Sequence, residues 1–249
     1  MVDGIESFIE RFKEYSDCYT IIGGAACDIL MTEADTDFRA TKDIDMILIL
    51  EARQQEFVKL FWEYIKEGGY LCGWRNSDKV HFYRFTEPSP GYPTMIELFA
   101  REPDYIKDVP TGIVPIHVGD DTSSLSAILL DEDYYNFMLA GRKLVMGASV
   151  LDAEHIIPFK MYAWLDLKDR KESGEHVNER DLKKHKYDVF RLLQIVDRRK
   201  KIESTGLVRK NIDRFLSEIA KENIPFNQLG LPFDMDEALD YLKDLYHFV

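Results

Sequence analysis

The chain has 249 residues, room for one large domain or two modest ones, and its 45% apolar and 31% charged composition excludes a mostly disordered protein. With 32 Lys and Arg against 45 Asp and Glu, the net charge of −13 repels nucleic acid and anionic membranes at long range unless a local basic patch intervenes. Apolar runs such as MILIL and AILL are far too short to span a bilayer, so no membrane partner is expected.

The opening MVDGIESFIERFKEY carries acids and helical periodicity where a secretory leader needs a basic start and an apolar centre. A cytoplasmic chain is therefore expected, with Cys18, Cys27 and Cys72 as reduced thiols because they form no CxxC pair. Ile5, Phe8, Ile9 and Phe12 share one helical face over residues 3–15. CYTIIGG predicts a short strand ended by Gly23-Gly24, and AACDILM a helix beginning at those glycines. DIDMILIL predicts a buried strand, 53–67 a helix, and the stretch 70–100 two strands, KVHFYRF and TMIELFA. The prolines and glycine of TEPSPGYP dictate a loop between them, and GIVPIHV is one more short strand. Beyond Leu125 helical periodicity dominates, over roughly 131–145, 153–171, 178–200, 206–222 and 234–247. The expected architecture is thus a mixed α/β (α+β) domain over 1–149 followed by a helical domain over 150–249. Residues 160–201 hold 13 Lys and Arg against 8 Asp and Glu, a basic segment that reads either as a solvated helix face or as a phosphate-binding patch.

Chemistry concentrates in GGAACDILMTEADTDFRATKDIDMILIL. Strand alternation puts Asp43 and Asp45 on one face, with Ile44 and Met46 on the other. Two neighbouring carboxylates repel unless a cation sits between them, and Mg²⁺ takes such oxygens together with phosphate and water. Gly23 and Gly24 at a strand-to-helix junction let backbone N–H groups approach an anion at the positive end of a helix. Arg39 and Thr41 lead into the aspartates, offering a guanidinium and a hydroxyl to the same phosphates. Glu97, embedded among Met95, Ile96, Leu98 and Phe99, needs compensation for its charge: either a metal or an arginine. Three carboxylates would support phosphoryl transfer with two Mg²⁺ ions. Lys160 sits in a helix apolar on most sides, where an ammonium must snorkel out, pair with an acid, or meet a bound anion. Asp181, His185 and Asp188 follow on the next charged helix, Asp188 within ion-pairing reach of Lys184 and Arg191. His81, His117, His155, His176 and His247 show no metal-ligand spacing, and Ser123, Ser124 and Ser126 sit in no nucleophile motif.

Gly-Gly, a short helix, then R-x-T-x-D-I-D before an apolar strand resembles the nucleotidyltransferases of the DNA polymerase β type, and within them the AbiEii-type toxins of type IV toxin–antitoxin systems. EHIIPFKMYAWLDLKDRK followed by RDLKKHKYDVFRLL is similar to that group's lysine-bearing helix and the charged helix after it. The resemblance implies a nucleotidyltransferase-type mixed sheet flanked by helices and a helical C-terminal region. It implies NMP transfer from an NTP to an acceptor hydroxyl with release of pyrophosphate. Asp43, Asp45 and Glu97 would be the catalytic, metal-binding acids, and Gly23, Gly24, Arg39, Thr41 and Lys160 would hold the triphosphate. Ala25 departs from the serine that many relatives place after the glycine, so one hydroxyl contact to phosphate is absent. The acceptor would be RNA, tRNA ends for a toxin with a cognate antitoxin, or a small molecule such as an aminoglycoside or lincosamide antibiotic. A glycosyltransferase using the DxD and a non-catalytic nucleotide-binding module are the rival classes.

Overall fold

The computed structural model describes residues 2–49, 54–76, 81–100, 115–116 and 131–246. The chain divides into two compact units, Met1–Leu130 with Arg142–Asp152, and Asp131–Gly141 with Ala153–Val249. Residues 131–141 thus group with the helical C-terminal part although they precede the hairpin that completes the sheet.

In the first unit α1 (Ile5–Phe12) runs into a 3₁₀ turn (Lys13–Tyr15), then β1 (Tyr19–Ile22), α2 (Gly23–Glu33), β2 (Asp43–Leu48) and α3 (Gln54–Glu67). β3 (Leu71–Asn76), β4 (His81–Thr86), β5 (Met95–Ala100), β6 (Pro115–Ile116), β7 (Arg142–Val145) and β8 (Ala148–Leu151) complete a mixed sheet in the order β6-β3-β4-β5-β2-β1-β8-β7. β2 lies near its middle, antiparallel to β1 and parallel to β5. β8 is tied to β1 by a bond between the Thr20 and Ser149 hydroxyls at 3.1 Å, and Arg142 donates to Thr20 at 2.9 Å.

One face of this sheet is aromatic. Tyr19 and Phe85 project from it toward Phe8, Phe12, Phe57, Phe61 and Trp62 of α1 and α3, with ring centroids 4.6–6.5 Å apart among them. Tyr19, Ile21, Ile44, Met46, Ile96 and Phe85 are wholly buried there. Side chains of this size each bury well over 100 Å² and supply most of the drive to hold two helices on a sheet. The alternate residues, including Asp43, Asp45, Arg84 and Glu97, fall on the opposite face.

The second unit is helical: α4 (Glu132–Ala140), α5 (Ala153–Glu172), α6 (Glu179–Leu193), α7 (Gly206–Ile219) and α8 (Met235–Tyr246). Their starts carry the chemistry expected of helix N-termini. Asp131 accepts from the N–H groups of Asp133 and Tyr134, Asn178 from that of Arg180, and Asp234 and Glu237 cap one another reciprocally. The core is built on α5, with Trp164 edge-on to Phe215 of α7 at 5.4 Å.

Three expectations change. Residues 71–76 form a strand that Gly73, Arg75 and Asn76 disguise, because the partner β4 supplies the pairing that local propensity does not. The helix expected over 131–145 ends at Ala140. Beyond Gly141 the chain enters β7, and Val145 pairs with Ala148 across Met146-Gly147, both at positive φ (50° and 85°), which matches the twist of a tight hairpin. The helix expected to reach residue 200 stops at Leu193, and in the turn beyond it the Asp197 carboxylate accepts the Arg199 N–H at 2.9 Å, a local bond that competes with helical hydrogen bonding. Of the strand expected in GIVPIHV, Pro115 and Ile116 pair with β3, and the remainder lies outside the described residues, as do His117, Ser123, Ser124, Ser126 and His247. Among the described residues no helix is long and apolar enough to cross a membrane.

Candidate active site

The β1–α2 junction and β2 lie against one another because Ile22, the last residue of β1, pairs with Asp45. Gly23 opens α2 with φ +66°, a conformation that side chains resist, and a Cβ there would collide with Asp45 Oδ2 and lie 3.0 Å from its Cγ. Only a glycine leaves the carboxylate its place beside the first turn of the helix. That end of α2 has no acid in its first turn and no side-chain cap, so the aligned peptide dipoles favour the negative charge of Asp45.

Gly24 performs the same service for the approach to β2. A Cβ on it would stand 2.6 Å from Thr41 Oγ1 and 3.8 Å from Arg39 Nη2. The Arg39 guanidinium lies 5.0 Å from the Phe38 ring centroid, a cation–π distance. Asp43 is two residues before Asp45 on the same face, and both are half-buried while Ile44 and Met46 between and beyond them are fully buried. The structure therefore assembles Gly23, Gly24, Arg39, Thr41 and the two aspartates around one helix start. Ala25, just inside, is completely buried.

Glu97 joins this row through the sheet, directly opposite Asp45 on β5. Its partner on the other side is Arg84 of β4, a residue the sequence reading passes over. Arg84 Nε and Nη2 donate to Glu97 Oε1 at 2.7 and 2.6 Å. Of the two compensations open to this acid, the structure displays the arginine. Among the described residues no three His, Cys, Asp or Glu side chains are arranged to hold a metal ion. The signal for Arg84 was present in YRF and IELF, two strand runs flanking one loop, where antiparallel pairing sets Arg84 against Glu97.

Lys160 belongs to the second unit. Its Nζ lies 3.1 Å from Asp188 Oδ2, with side chains 5% and 0% exposed, and Arg191 Nη1 approaches the other Asp188 oxygen at 3.3 Å. Acid pairing, one of the three outcomes open to a lysine in that helix, is thus realised. The basic segment is also largely compensated. Lys160, Lys168, Arg170, Lys171, Lys186, Arg191, Arg199 and Lys200, eight of its 13 cations, form ion pairs with acids. Lys201 donates to the Asp244 carbonyl, and Arg198 lies over the Tyr241 ring at 4.9 Å.

No family model matches the chain, and no curated protein matches it. The chain is similar to the crystal structure of JHP933 from Helicobacter pylori, at 14% identity with a TM-score of 0.38 over 96% of this chain and 85% of that one. It is similar also to the crystal structure of an antigenic nucleotidyltransferase-like protein from Paracoccidioides brasiliensis, at 12% identity with a TM-score of 0.49 over 99% of each chain.

Proposed function

We propose that the first unit is a nucleotidyltransferase core of the DNA polymerase β type, moving an NMP from an NTP to an acceptor hydroxyl. In that reaction an acceptor oxygen bonds to the α-phosphorus while the bond from that phosphorus to pyrophosphate breaks. The observation that carries the reading is the fit of Asp45 against Gly23, with Asp43 beside it and Arg39 and Thr41 against Gly24. Two carboxylates next to a glycine-floored helix start suit a divalent ion that brings its own phosphate ligands. Mg²⁺ held by Asp43 and Asp45 would neutralise triphosphate oxygens and polarise the reacting phosphate. The chain's own part is orientation: the helix start and the Arg39 guanidinium offer donors to the phosphates, and the pleat fixes both aspartates on one side.

The test is Asp43→Asn and Asp45→Asn assayed with labelled NTPs against RNA, protein and antibiotic panels, with Mg²⁺·NTP binding measured by calorimetry. Loss of binding and transfer with the fold intact is the expected outcome; transfer at the wild-type rate in either variant refutes the assignment. Binding without turnover in the wild type would instead mark a nucleotide-binding module.

For the acceptor, the internal pairing of the basic segment favours a small molecule over RNA. Cations already matched by acids release few counterions on meeting phosphate, and the acidic surface attracts a polycationic antibiotic. A toxin acting on tRNA under a cognate antitoxin predicts the reverse, a tRNA affinity that falls steeply with salt.

A further inference from the structure

Asp43, Asp45 and Glu97 together carry three negative charges on one face of the sheet, and in a three-carboxylate site two divalent ions answer them. Here the third acid has a cation of its own. The Arg84–Glu97 pair is built by direct cross-strand opposition on β4 and β5, next in the row to Asp45. Both guanidinium donors converge on a single carboxylate oxygen, and the side chains are only 24% and 12% exposed, which limits screening by solvent.

We propose that Arg84 stands in for the second divalent ion: it neutralises Glu97 and leaves Asp43 and Asp45 to hold one ion per nucleotide. The inference rests on the nucleotidyltransferase reading and sharpens it. Arg84 compensates Glu97, and Asp43 and Asp45, on the same face of β2, are the carboxylates left in place to ligate a divalent cation. A guanidinium stays protonated at any working pH and does not dissociate, so this half of the charge balance is permanent, whereas the metal half arrives with the nucleotide. Arg84 acts through Glu97 and is a positioning residue.

Titration with Mn²⁺ in the presence of a non-hydrolysable NTP analogue, followed by electron paramagnetic resonance, reads the stoichiometry directly. The wild type should bind one Mn²⁺ per chain, and Asp45→Asn should abolish that binding. Arg84→Met frees a carboxylate beside Asp45 and should admit a second ion or tighten the first by about tenfold. Arg84→Lys should restore single occupancy. The double variant Arg84→Met/Glu97→Gln removes the pair as a neutral unit and should bind one ion within about twofold of wild type. It keeps the test available if Arg84→Met alone does not fold. Two ions in the wild type, or loss of binding in the double variant, would overturn the proposal by making Glu97 a ligand. Failure of the wild type to bind Mn²⁺ with nucleotide, or indifference to Asp45→Asn, would instead bring down the nucleotidyltransferase reading itself.

Discussion

Replacing Gly23 by alanine separates the backbone's demands from those of the site. At φ +66° an alanine costs about 1–2 kcal/mol in the left-handed region before any contact is counted. Its Cβ would lie 3.0 Å from Cγ and 3.3 Å from Cβ of Asp45 and collide with Oδ2, so the carboxylate must turn away from the helix start. Together these should destabilise the chain by about 2–3 kcal/mol, a fall in midpoint of roughly 4–12 °C for a protein of this size. Gly24→Ala is the internal control. That glycine is absent from the positive-φ set, and its new Cβ meets a threonine hydroxyl 2.6 Å away that can rotate. Alanine also gains about 1 kcal/mol of helix propensity, so stability should barely change while nucleotide affinity falls with the displaced Thr41. Thermal unfolding by circular dichroism and Mg²⁺·NTP calorimetry on both variants decide the matter. Wild-type nucleotide affinity in Gly23→Ala, or a greater loss of stability in Gly24→Ala, would refute the reasoning.

The buried pair of the second unit should behave as a couple. Asp188→Ala removes the carboxylate paired with the buried Lys160 ammonium and should cost about 3–5 kcal/mol, whereas Lys160→Met/Asp188→Leu should recover most of that in urea denaturation. If the double variant also keeps full NTP affinity, Lys160 has no part in holding phosphate. At alkaline pH, burial pushes the Cys72 thiol from 9.0 up to about 12 and the Tyr19 phenol from 10.0 up to about 12. Both ionise at their ordinary values once unfolded. Stability is therefore full below about pH 9 and is lost as the pH rises toward about 12, and an unchanged denaturation midpoint between roughly pH 8 and pH 11 would contradict this.

What the sequence disclosed follows from which interactions are local. DIDMILIL, the glycine pair and the amphipathic helices carry their own period or backbone demand, and each formed close to where it was expected. The encounters of Gly24 with Thr41 and Arg39 lie in the irregular approach to β2, yet the chemistry of that segment had already marked them. Elements whose form depends on distant partners were harder. β3 exists because β4 pairs with it, and β7 turns back through Met146-Gly147 without the Asn-Gly or Asp-Gly that usually announces such a hairpin. Arg84 went unseen because an arginine in a strand has no meaning until the register names its neighbour. Asp188 was legible only as a partner for residues on its own helix. Its pairing with Arg191 follows from helical spacing, but that with Lys160 needs the packing of α6 on α5.

The register that exposes these acids is set from the other side of the sheet. Side chains alternate, so a slip of one residue in β2 would carry Asp43 and Asp45 into the aromatic layer and turn Ile44 and Met46 outward. Burying two carboxylates against Phe57 and Phe61 would cost several kcal/mol each, on top of the apolar burial lost. The polar contacts among the acids resist such a slip less strongly: the Arg84–Glu97 pair, with side chains 24% and 12% exposed, is a charge-assisted contact worth about 1.5–3 kcal/mol. The same reasoning applies to the Arg84–Glu97 opposition, since Phe85 and Ile96, the adjacent residues of those strands, are fully buried on the aromatic side. The glycines then determine what may stand above the acids, but the aromatic core determines that the acids are there at all. A site built this way tolerates exchange of its polar residues, which alters chemistry, far better than a change in the length of β1, β2 or β5, which would disperse Gly23, Asp45 and Glu97 together.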